Sequence, residues 1–122
     1  MKKKILYIED DPDMAEIVSE IMQYEHYEVI TDSGKSMYKY LADGEVGLIL
    51  MDEGLSWCWG SNLCRELRSN KDTAEIPIIM ISAVREIQDI AANCGANAYI
   101  RKPFEIYDVI DAINEHYPKS LS

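Results

Sequence analysis

A chain of 122 residues, 48% hydrophobic and 28% charged, suits one folded domain with its own core and excludes wholesale disorder. With 22 acidic against 12 basic residues the net charge is −10, which argues against direct binding to nucleic acid or to an anionic membrane. The three cysteines, Cys58, Cys64 and Cys94, show no CxxC spacing and read as buried thiols in a reducing compartment, not as a disulfide scaffold.

In chain order, the basic start Lys2-Lys3-Lys4 precedes an apolar run, Ile5 to Ile8, that is too short for a signal peptide. No later stretch approaches the length of a membrane span, so a soluble cytoplasmic protein is expected. The run "KILYI" predicts a strand, and Met14, Ile17, Val18, Ile21 and Met22 follow at helical spacing. Pro12 falls in that helix's first turn, where its missing N–H costs nothing. "YEVI" precedes a helix carrying Met37, Tyr38 and Leu41, with Asp32 or Ser33 as its cap. "VGLILM" leads to Leu63, Cys64 and Leu67. "IPIIMIS" leads to Ile87, Ile90, Ala91 and Cys94, with Gly95 as the stop. Finally "AYI" precedes Ile106, Val109, Ile110 and Ile113.

The stretches "GLILM" and "IPIIMI" are apolar without alternation, as strands covered on both faces are. Repeated strand-then-helix units with short connections predict an α/β domain, a parallel sheet wrapped by helices through right-handed crossovers. That domain fills residues 1–122, with Pro118 to Ser122 as a short tail.

In such a sheet ligands bind beyond the carboxyl ends of the strands. The first strand ends at Glu9-Asp10, the third at Asp52, the fourth at Ser82-Ala83 and the fifth just before Lys102-Pro103. Singly, each residue has an ordinary explanation: Asp10 or Asp11 as a helix cap, Asp52 as a turn residue, Ser82 as a local backbone partner, Lys102 as a surface lysine. Three carboxylates, a hydroxyl and an ammonium at one edge of the sheet form a pattern that none of these explanations covers.

The pattern "ILYIEDDP … LILMDEGL … IPIIMISA … AYIRKPF" resembles the receiver domain of bacterial response regulators, from about Lys3 to Tyr117. The resemblance implies a flavodoxin-like, doubly wound sheet of order 2-1-3-4-5 with five flanking helices. It implies a phosphoacceptor of two-component phosphorelays, loaded by a sensor histidine kinase or phosphotransfer protein and read by a downstream protein effector. Carried over residue by residue, Asp52 matches the phosphoacceptor. Glu9 and Asp10, with Asp52 and the backbone carbonyl of Gly54, match the Mg²⁺ ligands. Ser82 matches the switch hydroxyl, Lys102 the lysine beside the phosphoryl group, and Tyr99 the switch aromatic. A cis bond is usual in the family before the proline that Pro103 matches. As an enzyme the domain would act only on itself, by self-phosphorylation and slow self-dephosphorylation. Ala83 is small enough to let a backbone N–H approach a phosphoryl oxygen.

The chemistry explains the crowded acids. Two unit charges ~4 Å apart repel by about 4 kcal/mol at an effective dielectric near 20. Mg²⁺, a hard cation suited to carboxylates and phosphoryl oxygens, reverses that sign. Lys102 adds a mobile ammonium.

Several residues depart from the family pattern. The loop after the third strand, usually like "LMLPGMDG", reads "EGLSWCWG": Ser56 replaces proline, and Trp57 and Trp59 flank Cys58. The tryptophans either cover an apolar gap or form a partner-contact patch. Gly54 and Val84 have no side-chain group to hydrogen-bond water, so hydrolysis of the acyl phosphate is expected to be moderate at fastest. The last helix carries Asp108, Asp111 and Glu115 where DNA-binding relatives often place basic residues. A single-domain regulator, or a receiver from another architecture, fits better than their style of dimer.

Two other readings compete. A phosphorylation-independent interaction module on the same fold would leave the site unused. A flavodoxin-like cofactor protein would need a Ser/Thr/Gly-rich phosphate loop where Glu9, Asp10 and Asp11 stand. His26 and His116 have no suitable ligand set beside them.

Overall fold

The computed structural model describes residues 2–119. Met1 and the end of the expected tail, residues 120–122, lie outside the described residues. Strands and helices alternate: β1 (Lys3–Ile8), α1 (Pro12–Tyr24), β2 (Tyr27–Asp32), α2 (Met37–Leu41), β3 (Val46–Asp52), α3 (Gly60–Ser69), β4 (Ile78–Ser82), α4 (Ile87–Cys94), β5 (Ala98–Arg101) and α5 (Ile106–His116). The strands form one sheet of order β2-β1-β3-β4-β5, parallel at every pairing. The parallel sheet expected from the apolar runs, with the doubly wound order that the resemblance implies, is the one observed.

Alternation along each strand divides the core into two layers. Leu6, Ile8, Ile49, Met51, Ile78 and Met80 face α2, α3 and α4, where Met37, Leu63, Leu67, Ile87 and Ala91 meet them. Ile5, Tyr7, Leu48, Leu50, Ile79 and Ile81 face α1 and α5, against Val18, Met22, Val109 and Ile113. Every residue of β3 and β4 is buried, which is why those strands read as unbroken apolar runs.

Local signals set the element ends. Pro12 opens α1, and the Asp11 side chain caps it by accepting from the Asp13 N–H at 3.0 Å. Gly95, at φ 87°, ends α4 in the left-handed conformation that glycine adopts without strain. The expected cap of α2 is corrected: Asp32 accepts instead from the N–H groups of Gly34 (2.8 Å) and Ser36 (3.0 Å), bracing the loop ahead of the helix. The helix begins only at Met37, after N-cap Ser36, so Asp32 stands too early in the chain to cap it.

Two buried thiols, Cys64 and Cys94, lie together between α3 and α4, with the Cys64 Sγ donating to the Cys94 carbonyl at 3.3 Å, while Cys58 is only half-buried. No helix among the described residues is long and apolar enough to cross a membrane.

Candidate functional site

The parallel register delivers the strand ends to one edge of the sheet. Ile8 pairs with Met51, so Glu9 and Asp52 leave neighbouring strands side by side. Asp52 pairs with Ile81, putting Ser82 on the next strand, and Ser82 pairs with Arg101, just before Lys102. The Lys102 N–H donates to the Ser82 carbonyl at 2.9 Å, carrying the ladder one residue past β5. The Lys102–Pro103 peptide is cis.

Three charged groups meet there. Asp52 and Glu9 are 4% and 5% exposed, which is unusual for carboxylates without a partner. The partner is Lys102, whose Nζ lies 2.9 Å from Asp52 Oδ1 and 3.7 Å from Glu9 Oε1. Glu9 also accepts from the hydroxyl of Tyr7 (3.2 Å) and from the N–H groups of Asp10 (3.2 Å) and Asp11 (3.5 Å). Burial first, and the charge of Asp52 second, raise the Glu9 carboxyl above its usual range, with Lys102 offsetting part of the shift. Burial alone would lower the Lys102 ammonium; hydrogen bonding and charge from Asp52, then the charge of Glu9, outweigh it and the net direction is upward. The site therefore holds excess negative charge even with Lys102 in place.

The other expected residues sit around this trio. Gly54 lies beside Asp52: a Cβ there would stand 3.9 Å from Asp52 Oδ2. Ser82 is buried, and its hydroxyl accepts from the Val84 N–H at 3.0 Å, so the local backbone role is realised here. Tyr99 is outward, 37% exposed, with the Arg101 guanidinium 5.8 Å from its ring centroid. Arg101 also donates to the carbonyl of Arg85 at 2.9 Å, tying β5 to the β4–α4 loop.

Asp10 is not turned into the trio. Its Oδ2 accepts from the Ser56 N–H at 2.5 Å. The Ser56 hydroxyl first, and the backbone N–H second, hold the Asp10 carboxyl below its usual range. Among the described residues no three His, Cys, Asp or Glu side chains converge as a ready cage for a metal. The direct physical reasons are that Lys102 contacts both Glu9 and Asp52 and that Asp10 faces the loop. Mg²⁺ asks for less than a cage, since it keeps several waters and binds through one or two carboxylates. The donor set fits it chemically: hard carboxylate oxygens, short of positive charge.

Sequence reasoning missed two participants. Tyr7 is fully buried, and its hydroxyl is satisfied by Glu9. Glu53, 4% exposed, turns to the opposite side from Asp52 and accepts from the Ser61 N–H (2.6 Å) and hydroxyl (3.0 Å) at the start of α3. Its signal was available: of two adjacent acids at a strand end, alternation must send one toward the next helix. The loop from Glu53 to Gly60, marked in the sequence by its departure from the family pattern, reaches the site through Ser56. Trp57 donates its indole N–H to the Ser33 carbonyl at 2.9 Å, while Trp59 is 59% exposed.

Comparison with known proteins agrees with this geometry. The family model of the response regulator receiver domain matches residues 5–114. Response regulator ArlR of Staphylococcus saprophyticus is 34% identical over 113 residues, covering 90% of this chain and 50% of that protein. The chain thus spans about half the length of the curated relatives it matches. The crystal structure of the NtrX receiver domain from Brucella abortus superposes with a TM-score of 0.83 at 26% identity, covering 93% of this chain and 97% of that one. The receiver domain of sensor histidine kinase PA1611 from Pseudomonas aeruginosa, solved with magnesium coordinated in its active-site cleft, shares the fold. Its TM-score is 0.85 at 22% identity, with 96% of this chain and 98% of that one covered. Taken with the order of the sheet and the charged trio at its edge, these matches establish that the chain belongs to the response regulator receiver domain family of two-component signalling.

Proposed function

We propose that residues 1–122 form a single receiver domain that accepts a phosphoryl group on Asp52 in a Mg²⁺-dependent reaction. The donor is a sensor histidine kinase or a phosphotransfer protein, and the reader is a downstream protein effector in the cytoplasm. The observation that carries this reading is the short contact of the Lys102 ammonium with buried Asp52, 2.9 Å long and beside a second buried carboxylate. A carboxylate held this way has one oxygen engaged and its orientation fixed for attack.

In the transfer, an Asp52 oxygen forms a bond to phosphorus as the bond from phosphorus to the donor's imidazole nitrogen breaks, and the imidazole regains a proton from solvent. Lys102 already bonds Oδ1, leaving Oδ2 on the Gly54 side. Glu9, Asp10, Asp52 and the Gly54 carbonyl would hold Mg²⁺, which would supply positive charge to offset the phosphoryl oxygens. Lys102 then follows those oxygens, being a flexible point charge rather than a fixed fork. Positioning and electrostatics are the whole of the protein's contribution, so the domain acts on itself and on no other substrate. Gly54 and Val84 orient no water, which keeps self-dephosphorylation slow.

The output follows from Ser82 and Tyr99. The Ser82 hydroxyl now accepts from the Val84 N–H, and a phosphoryl oxygen on Asp52 would offer its proton a charged acceptor. Ser82 turns inward, the β4–α4 loop follows, and Tyr99 moves from its outward position into the space vacated. The equilibrium pre-exists and one modification biases it.

The test is intact mass after incubation with Mg²⁺ and acetyl phosphate, wild type beside Asp52→Asn. A phosphoryl adduct on wild type alone supports the reading. An adduct on neither chain selects the second reading, an interaction module that signals by binding alone, for which the turned Asp10 is the favouring observation.

A further inference from the structure

The β3–α3 loop makes contacts that phosphoryl transfer does not require. The Ser56 N–H bond to Asp10, 2.5 Å long, joins residues 46 apart in sequence and is short for a charge-assisted contact. The next residue is pinned as well. Besides the Trp57 indole bond to the Ser33 carbonyl, the Lys35 ammonium lies 5.8 Å from the centre of the indole. The indole also packs over Gly34, where an added Cβ would stand 3.2 Å from Trp57 Cζ2.

The far end of the loop is equally tied. Gly54 and Trp59 form an antiparallel bridge, and the Gly60 N–H donates to the Glu53 carbonyl at 2.8 Å. Gly60 itself is pressed against the Asp52 carbonyl, leaving no room for a Cβ. With both ends held, the Ser56 amide is a fixed donor aimed at Asp10. Proline at this position could not provide it.

We propose that Ser56 is a positioning residue for the divalent cation: its N–H holds the Asp10 carboxylate on the loop, so cation uptake competes with that bond. The inference rests on the phosphoacceptor reading and adds to it a control on cation affinity. Mg²⁺ demands near-ideal octahedral geometry. A carboxylate whose aim is set by a strapped loop must leave its donor to meet that demand. The lack of a ready cage among the described residues agrees with this turning of Asp10. Reciprocity follows: whatever loosens the tryptophan strap tightens cation binding, and cation binding loosens the strap by the same factor.

The experiment has two arms. In the first, wild type, Ser56→Ala and Ser56→Pro are titrated with MgCl₂ by calorimetry. Ser56→Pro, which lacks the N–H, should bind about tenfold more tightly than wild type, the factor expected for losing one competing bond to a charged group. Ser56→Ala loses the hydroxyl but keeps the N–H, and should bind more tightly than wild type but less tightly than Ser56→Pro. In the second arm, amide hydrogen exchange at Ser56 is followed by NMR in the unmodified chain, so folding of the proline variant is not at issue. Exchange at saturating Mg²⁺ should be at least about tenfold faster than without it, because the amide has lost its partner. Unchanged or greater protection of the Ser56 amide, with Mg²⁺ bound, overturns the inference and leaves the phosphoacceptor reading standing. Magnesium uptake by none of the chains overturns both.

Discussion

The central strands end differently at their two edges. Where β1 and β3 begin, polar groups are closed in matched pairs, and the one ion pair there among the described residues, Lys4 with Glu28, balances its charge. The Tyr117 hydroxyl accepts from the Lys4 N–H at 2.9 Å, and the Tyr27 hydroxyl donates to Asn114 Oδ1 at 2.7 Å. The two tyrosine rings pack 5.4 Å apart with the Lys3 ammonium over both. Where the same strands end, two buried carboxylates share one ammonium. The first edge is what folding selects when a sheet must be sealed. The second keeps like charges together, an arrangement that stability alone does not explain. Polar satisfaction on one side and charge excess on the other separate support from chemistry along single strands.

Mutations should separate the edges in the same way. Gly47→Ala should have the largest effect on stability. Its Cβ would drive into the buried Tyr117 ring, with Cε2 only 2.9 Å away, and the overpacking should cost about 2–3 kcal/mol in urea unfolding. Tyr117→Phe comes next: it leaves the Lys4 N–H without its acceptor, for a loss of about 1.5 kcal/mol. Phosphoryl uptake on Asp52 should survive both changes, and its loss in Tyr117→Phe would break the comparison.

Glu9→Gln should act in the opposite direction, raising stability by about 1 kcal/mol at neutral pH. Burial and then Asp52 raise the Glu9 carboxyl above its usual value of 4.5. A carboxyl with a raised folded pKa favours the fold while protonated. That contribution is fully present below 4.5 and is lost as pH rises through the folded value. Wild type and Glu9→Gln should therefore be equally stable near pH 4 and diverge above it, as read from unfolding midpoints across pH. Trp57→Phe should be the smallest change, about 0.5 kcal/mol, since it removes one indole bond at a partly exposed position.

Much of this was legible in the sequence. Runs such as "LILMD" and "IIMIS" show both the strand and the candidate site residue that ends it, because period and residue type are local properties. Gly95 and Pro12 mark helix ends for equally local reasons. Contacts that depend on how two loops meet were not legible. Asp10 and Ser56 are brought together only by the pairing of β1 with β3, and Trp57 reaches Ser33 only once β2 lies beside β1. The network of Arg68, which bonds the carbonyls of Gly95 (2.7 Å) and Ile76 (2.7 Å) and the side chain of Asn97 (2.7 Å), is hidden for the same reason. Nothing in the sequence around a helix-end arginine marks it as the tie between α3 and the turns that precede β4 and β5.

The central claim is that the charge excess at the carboxyl edge is matched to a divalent cation. Urea unfolding of wild type, with and without 10 mM-scale Mg²⁺ (about 10 mM) at fixed ionic strength, tests it most directly, because a ligand that binds only the folded state raises its stability. The expected result is a midpoint that rises with Mg²⁺ in wild type and stays put in Asp52→Asn combined with Asp10→Asn. A wild-type midpoint indifferent to Mg²⁺ would contradict the claim.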